Sequence, residues 1–326
     1  QKEARLKWWR EARFGMFITW GPISQKGMEI SASRDNAVSW PTEHIGVAEY
    51  DNLYKTFNPV KFDAKEWVAI AKASGMKYIV FVAKHWDGFC MWPTKTTDYN
   101  IGNSPFKRDI CGELAKEAHK AGIKIGWYVC PPDMHDPDCQ TERNEAFLKR
   151  FRGQLTELLS NYGPISMMWF DHATPPVASP WDQENTYKLV RTLQPKIIID
   201  NRLDMVTLDD YYAQKVGPNA DYYTPEQRIG EYDDKTPWET CMTIGTQWSY
   251  KPNDQIKSTD ECLRALIMCA GGDGNLLFNV GPTPLGEIEA PQVRQLNEMG
   301  KWLATYGESI HGTRGGPFKP NDLIAS

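Results

Sequence analysis

No apolar run in the 326 residues approaches the roughly 18 that a membrane-spanning helix needs, so the mature chain is expected to be soluble. A basic stripe is missing as well. The 37 basic and 42 acidic residues are interspersed, with a formal charge of -5 and a pI of about 5.8, which argues against nucleic acid as a partner. The seven cysteines form no CxxC and stand at no paired Cys/His spacing. Cys90, Cys111, Cys130, Cys241, Cys262 and Cys269 sit in apolar surroundings, where cysteine behaves as a small buried hydrophobe, so disulfides are not required. There is no GxGxxG after the first predicted strand, no GxSxG, and no HxH or HExxH. Those absences weigh against a dinucleotide fold, a serine-elbow hydrolase and a zinc peptidase. The start, Gln1-Lys2-Glu3-Ala4-Arg5, has neither an initiator Met nor an apolar segment, as expected of a processed or trimmed chain. A removed signal peptide, and hence a periplasmic or secreted protein, is the expectation taken from it.

Aromatics are plentiful, with 13 Trp and 14 Tyr. Aromatic faces stack on the apolar faces of sugar rings, although large cores use them too. The organising stretch is Pro164-Ile165-Ser166-Met167-Met168-Trp169-Phe170-Asp171, bounded by Gly163-Pro164 and by Ala173-Thr174-Pro175-Pro176. An apolar run of this kind reads as a strand buried on both faces that ends on an ionisable carboxylate. Similar strands are predicted at Phe14–Gly21, Lys77–Ala83, Lys124–Val129, Lys196–Arg202 and Asn275–Val280. Helical patterns over 6–13, 66–74, 109–121, 142–160, 183–193, 259–270 and 290–306 alternate with them, and residues 24–57 form a long irregular insertion. About eight such alternations with short joins predict a (β/α)8 TIM-like barrel, irregular in its later strands and helices. Residues 1–326 read as a single catalytic domain.

In a parallel barrel the C-terminal strand ends converge on one mouth. Polar groups collect at those ends: Thr19-Trp20, His85-Trp86-Asp87, Tyr128, Asp171-His172 and Asp200-Asn201-Arg202, with Glu226 and Glu239 on later loops. A strand-end carboxylate with carboxyls on later loops suits glycoside hydrolysis, where one group attacks the anomeric carbon and another protonates the leaving oxygen. A metal hydrolase is the rival, with His85, Asp87, Asp171, His172 and Asp200 as ligands. It is disfavoured because each His is flanked by bulky or apolar side chains. Blander readings stand beside these: Asp171 opening a loop, Glu226 a loop carboxylate, Glu239 the buried partner of an arginine, and Arg202 an ion pair with Asp171 or Asp200.

Phe14-Gly15-Met16-Phe17-Ile18-Thr19-Trp20-Gly21, Ala83-Lys84-His85-Trp86-Asp87-Gly88-Phe89, Trp169-Phe170-Asp171, Trp238-Glu239-Thr240-Cys241 and Gly271-Gly272-Asp273-Gly274-Asn275-Leu276-Leu277-Phe278-Asn279-Val280-Gly281-Pro282 together resemble the α-L-fucosidases of glycoside hydrolase family 29. The matches run in the family's order from about residue 8 to residue 312. The resemblance implies retaining exo-hydrolysis of a terminal α-L-fucose-type sugar on a barrel, with a carbohydrate substrate and no metal or cofactor. It makes Asp171 the nucleophile and Glu226 the acid/base, with Glu239 in reserve. It assigns sugar contacts to Trp20, His85, Tyr128, Trp169 and Arg202.

Two positions depart from the family pattern, since Thr19 and Trp86 stand where it carries histidines that donate to ring hydroxyls. Such donors discriminate strongly between sugars. Thr19 opens space and Trp86 adds a wall, so an α-L-galactosidase is the second expectation and a catalytically weak sugar-binding relative the third. The family's C-terminal β-sandwich is expected to be absent or truncated.

Overall fold

Runs of apolar residues without polar relief become strands buried on both faces, and their arrangement sets up the site. The structure is a computed structural model that describes residues 2–35, 43–172, 181–205 and 215–321. The Ala173–Pro176 boundary and residues 36–42 of the insertion lie outside the described residues. Among the described residues seven strands form one sheet: β1 Phe14–Ile18, β2 Tyr78–Lys84, β3 Lys124–Val129, β4 Met167–Phe170, β5 Ile198–Ile199, β6 Glu239–Thr243 and β7 Asn275–Val280. Their order is β5-β4-β3-β2-β1-β7-β6, and every pair is parallel.

The edge between β5 and β6 is spanned by an irregular stave at residues 221–227. Asp200 bridges Tyr222, Tyr223 bridges Trp238, and Glu226 bridges Cys241, all in parallel sense. Backbone bonds from Asp221 N to Ile199 O (2.8 Å), Glu239 N to Tyr223 O (3.0 Å) and Cys241 N to Pro225 O (3.0 Å) hold it in place. The expected barrel is therefore present as a curled parallel α/β sheet. Its late member is irregular, as the looser sequence there implies.

The period-2 alternation sorts side chains into two cores. Phe17, Tyr78, Val80, Val82, Tyr128, Met167, Trp169, Ile198, Tyr222, Cys241 and Leu277 cluster inside the barrel. Phe14, Met16, Ile79, Phe81, Ile125, Trp127, Met168, Phe170, Leu276 and Phe278 face the helical layer. Gly15 lacks a side chain for a reason: a Cβ there would stand 2.2 Å from the Tyr78 ring.

Among the described residues the helices are α1 Lys2–Ala12, α2 Val47–Asn52, α3 Ala64–Ala73, α4 Ile110–Ala121, α5 Asn144–Ser160, α6 Gln183–Leu193, α7 Thr259–Gly271 and α8 Ala290–Tyr306. Caps that satisfy orphan amides fix several of their ends. Asp63 accepts from Lys65 N and Glu66 N, Asp109 from Gly112 N, and Ser258 with Glu261 forms a capping box. Helix α1 sends Leu6, Trp9 and Ala12 into the inner core, under the ends where the strands begin. All seven cysteines are free. No helix among the described residues is long and apolar enough to cross a membrane.

Candidate active site

Strand direction decides which polar side chains meet. Asp171 follows β4 directly, Thr19 follows β1 by one residue, His85 and Trp86 follow β2, and Arg202 lies just past β5. With Tyr128 and Trp169 on the upper rungs of β3 and β4, and Glu226 on the irregular stave, these residues line one cavity. Its volume is about 530 Å³ including the space at its mouth, within the range of small-molecule sites.

Asp171 is fully engaged. Its Oδ1 accepts from Arg202 Nη1 at 2.7 Å and from its neighbour's backbone, His172 N, at 2.8 Å. Its Oδ2 accepts from the Tyr128 hydroxyl at 2.7 Å. Burial pushes this carboxyl up, but the Arg202 guanidinium, His172 and the two hydrogen bonds outweigh burial and hold it well below the usual carboxylate range. Asp171 is therefore anionic across the working range of pH.

Arg202 is the hub. It is 3% exposed and pairs with Asp171 through Nη1 and with Glu226 Oε2 through Nη2 at 2.9 Å. Its Nε donates to Thr224 Oγ1 at 2.7 Å, and its carbon lies 4.5 Å from the Trp169 ring centroid. A planar guanidinium can serve several acceptors at once in fixed directions, which a lysine ammonium cannot.

The opposite wall is aromatic. His85 stacks on Tyr128 with centroids 5.4 Å apart and planes 5° apart, and its Nδ1 lies 2.6 Å from Ser31 Oγ. Burial, then His172, pushes the His85 imidazole well below its ordinary pKa, so it is neutral. Trp86 lies parallel to the His172 ring at 4.8 Å, and its indole N–H has no acceptor among the described residues. Thr19 donates its hydroxyl to Asn279 Oδ1 at 2.6 Å, which ties it to β7.

Two sequence-predicted site residues fall elsewhere. Glu239 was read as a loop carboxylate, yet it is the first residue of β6 and points into the floor where the strands begin. There it accepts from Trp9 Nε1 (3.0 Å), Tyr78 Oη (2.5 Å) and Trp169 Nε1 (3.2 Å), so its partners are two indoles and a phenol rather than an arginine. Burial pushes it up to about 7 against the pull of those three donors. Trp20 lies beyond the end of β1 and turns outward. It packs against Phe57, Phe62 and Trp67, donates to Thr283 O at 2.9 Å, and lines no part of the cavity.

Glu29, Ile30 and Ala32 of the insertion and Trp248 line the cavity with no sequence expectation pointing to them, and His172, expected at this mouth as a strand-end group, lines it too. Glu29 accepts from Trp248 N at 3.0 Å and Ser249 N at 3.1 Å, joining the insertion to the loop after β6. The length of the 24–57 insertion signals a mouth-side role, but nothing in its composition singles out Glu29.

A sequence model of the family described as Alpha-L-fucosidase matches residues 1–308. Alpha-L-fucosidase 1 of Arabidopsis thaliana is 27% identical over 97% of this chain, and plasma alpha-L-fucosidase of Homo sapiens is 28% identical over 94%. The chain spans 65% of the plant relative's length and 69% of the human one's. Among solved structures, alpha-L-fucosidase isoenzyme 1 from Paenibacillus thiaminolyticus superposes with a TM-score of 0.86 at 32% identity, covering 98% of this chain and 80% of that one. A Bacteroides thetaiotaomicron family 29 alpha-L-fucosidase superposes with a TM-score of 0.83 at 27% identity, covering 99% and 79%. That structure is a trapped covalent intermediate in complex with 2-fluoro-fucosyl fluoride.

Proposed function

The chain belongs to the α-L-fucosidase family of glycoside hydrolases, and on that premise we propose that it is a retaining exo-hydrolase releasing a terminal α-L-fucose-type sugar from an oligo- or polysaccharide. Asp171 is the nucleophile and Glu226 the acid/base. Thr19, His85, Trp86, Tyr128, Trp169 and Arg202 bound the sugar. The observation that carries the reading is the Asp171–Arg202–Glu226 chain at the cavity, in which two carboxyls share one guanidinium. Sharing it brings both carboxyls to one cavity, and a pair about 5–5.5 Å apart is what a retaining mechanism requires.

In the first step an Asp171 oxygen bonds to the anomeric carbon. The bond from that carbon to the aglycone oxygen breaks, and the leaving oxygen takes the proton of Glu226. In the second step the Glu226 carboxylate takes a proton from water. The water oxygen bonds to the same carbon and expels Asp171 as carboxylate.

The shared cation fits this sequence. Before attack Asp171 is charged and Glu226 carries a proton. In the ester Asp171 is neutral and Glu226 is charged. One negative charge faces Arg202 at both stages, so the site never has to bury two uncompensated carboxylates.

Fucose is the first substrate and α-L-galactose the second. The second is favoured by Thr19, which is bound to Asn279 and leaves space where the family carries a larger imidazole. The human relative, described as plasma alpha-L-fucosidase, supports a secreted setting.

Turnover of nitrophenyl α-L-fucoside against nitrophenyl α-L-galactoside tests the substrate. Asp171→Ala abolishes it on either with the far-UV spectrum unchanged. Azide restores turnover to Glu226→Ala as a glycosyl azide, whereas rescue of Glu239→Ala alone would reverse the acid/base assignment.

A further inference from the structure

The cavity wall also brings one of the sugar-contacting residues, His85, together with two groups that the sugar chemistry leaves unused. His85, Cys130 and His172 come from the ends of three neighbouring strands, β2, β3 and β4. Each offers one ligand atom, and the three atoms lie within 4.8 Å of one another. Two imidazoles and a thiol form a donor set for a borderline-soft divalent ion and not for Mg2+ or Ca2+, which take oxygen ligands. We propose that His85, Cys130 and His172 form a latent zinc site in the cavity wall, and that a zinc ion bound there excludes the sugar.

The surroundings favour ligation. His85 Nδ1 is engaged by Ser31 Oγ at 2.6 Å. In the tautomer that donates this bond, Nε2 carries a free lone pair, an arrangement common among metal-binding histidines. His172 Nε2 lies 3.4 Å from Asp171 Oδ2, so a carboxylate stands ready beside the open coordination position. Cys130 Sγ donates to the Tyr128 hydroxyl at 3.3 Å and gives up that proton when it binds the ion. Zinc bond lengths of about 2.0–2.3 Å require the three ligand atoms to draw together by roughly 1 Å. His172 is the member free to move, being on the mouth side and partly exposed, while Cys130 is fully buried. An ion held there touches Asp171 and Tyr128 and fills the place of the sugar ring.

Calorimetric titration of the intact chain with Zn2+ tests the site without reference to any glycoside. One equivalent is expected to bind. Cys130→Ser, which keeps a donor toward Tyr128, weakens it by at least about tenfold, and His172→Gln does the same. In the nitrophenyl fucoside assay Zn2+ raises KM of the wild type and leaves kcat unchanged. Cys130→Ser has wild-type kinetics without zinc and resists it.

Equal zinc affinity in wild type and Cys130→Ser, or no binding at millimolar zinc, overturns the proposal. Equal inhibition by Mg2+ also overturns it, because that ion would be held by the carboxyl pair. Zinc binding that depends on Cys130, in a chain that turns over no α-L-glycoside, upholds the site while refuting the proposed function on which the assay rests.

Discussion

Arg202 is the residue on which the site's geometry depends most, because its three nitrogens meet acceptors on two elements, Asp171 at the end of β4 and Thr224 and Glu226 on the irregular stave. Lysine keeps the charge and loses the fork, so it cannot hold Asp171 and Glu226 at once. Arg202→Lys is expected to lower kcat on nitrophenyl α-L-fucoside by about 10²–10³-fold, with a smaller change in KM. Activity within a few-fold of wild type would show that the carboxyls are positioned without it. Asp171 and Arg202 were legible in the sequence because each follows an apolar run whose direction is unambiguous. Trp20 and Glu239 were not, because an offset of two or three residues against a strand end reverses the outcome. β1 stops at Ile18, so Trp20 falls into the outer aromatic cluster. β6 begins at Glu239, so its carboxyl faces the floor instead of the mouth.

At the scale of elements, that floor is a built feature in which α1 plugs the barrel through Trp9 and Glu239. Glu239 binds its proton more tightly in the folded chain, at about 7 against an ordinary value of 4.5. Its contribution to stability is therefore full below about pH 4.5 and falls as pH rises toward 7, where the folded chain must bury the charge. The loss is on the order of 3 kcal/mol at most. Urea unfolding of wild type and Glu239→Gln at pH 5 and pH 7.5 is expected to show the larger decline in the wild type. Parallel declines would mean that Glu239 is charged throughout. The helices of the layer around the sheet were legible to within a few residues because their caps are local, Asp109 and Gly122 delimiting α4 by themselves, whereas α2, inside the insertion read as irregular, was not. The closing stave at 221–227 was not, because single bridges to neighbouring strands hold it and no period of its own marks it.

For the molecule as a whole, the parallel barrel turns contacts distant in sequence into one site. Thr19, His85, Asp171, Arg202 and Glu226 span more than two hundred positions and share a single cavity. The alternation of strand and helix made the barrel readable, and the family motifs made its mouth readable. The mouth's outer wall was hidden, since Glu29 and Trp248 sit on loops whose paths depend on tertiary packing. The central claim is that Asp171 makes a covalent bond to the sugar, and trapping tests it most directly. After incubation with 2-fluoro-fucosyl fluoride and proteolysis, mass spectrometry is expected to find one 2-fluoro-fucosyl group on the peptide carrying Asp171, and none in Asp171→Ala. An adduct on another carboxylate, or steady turnover of the fucoside with inversion and no adduct, would contradict the account.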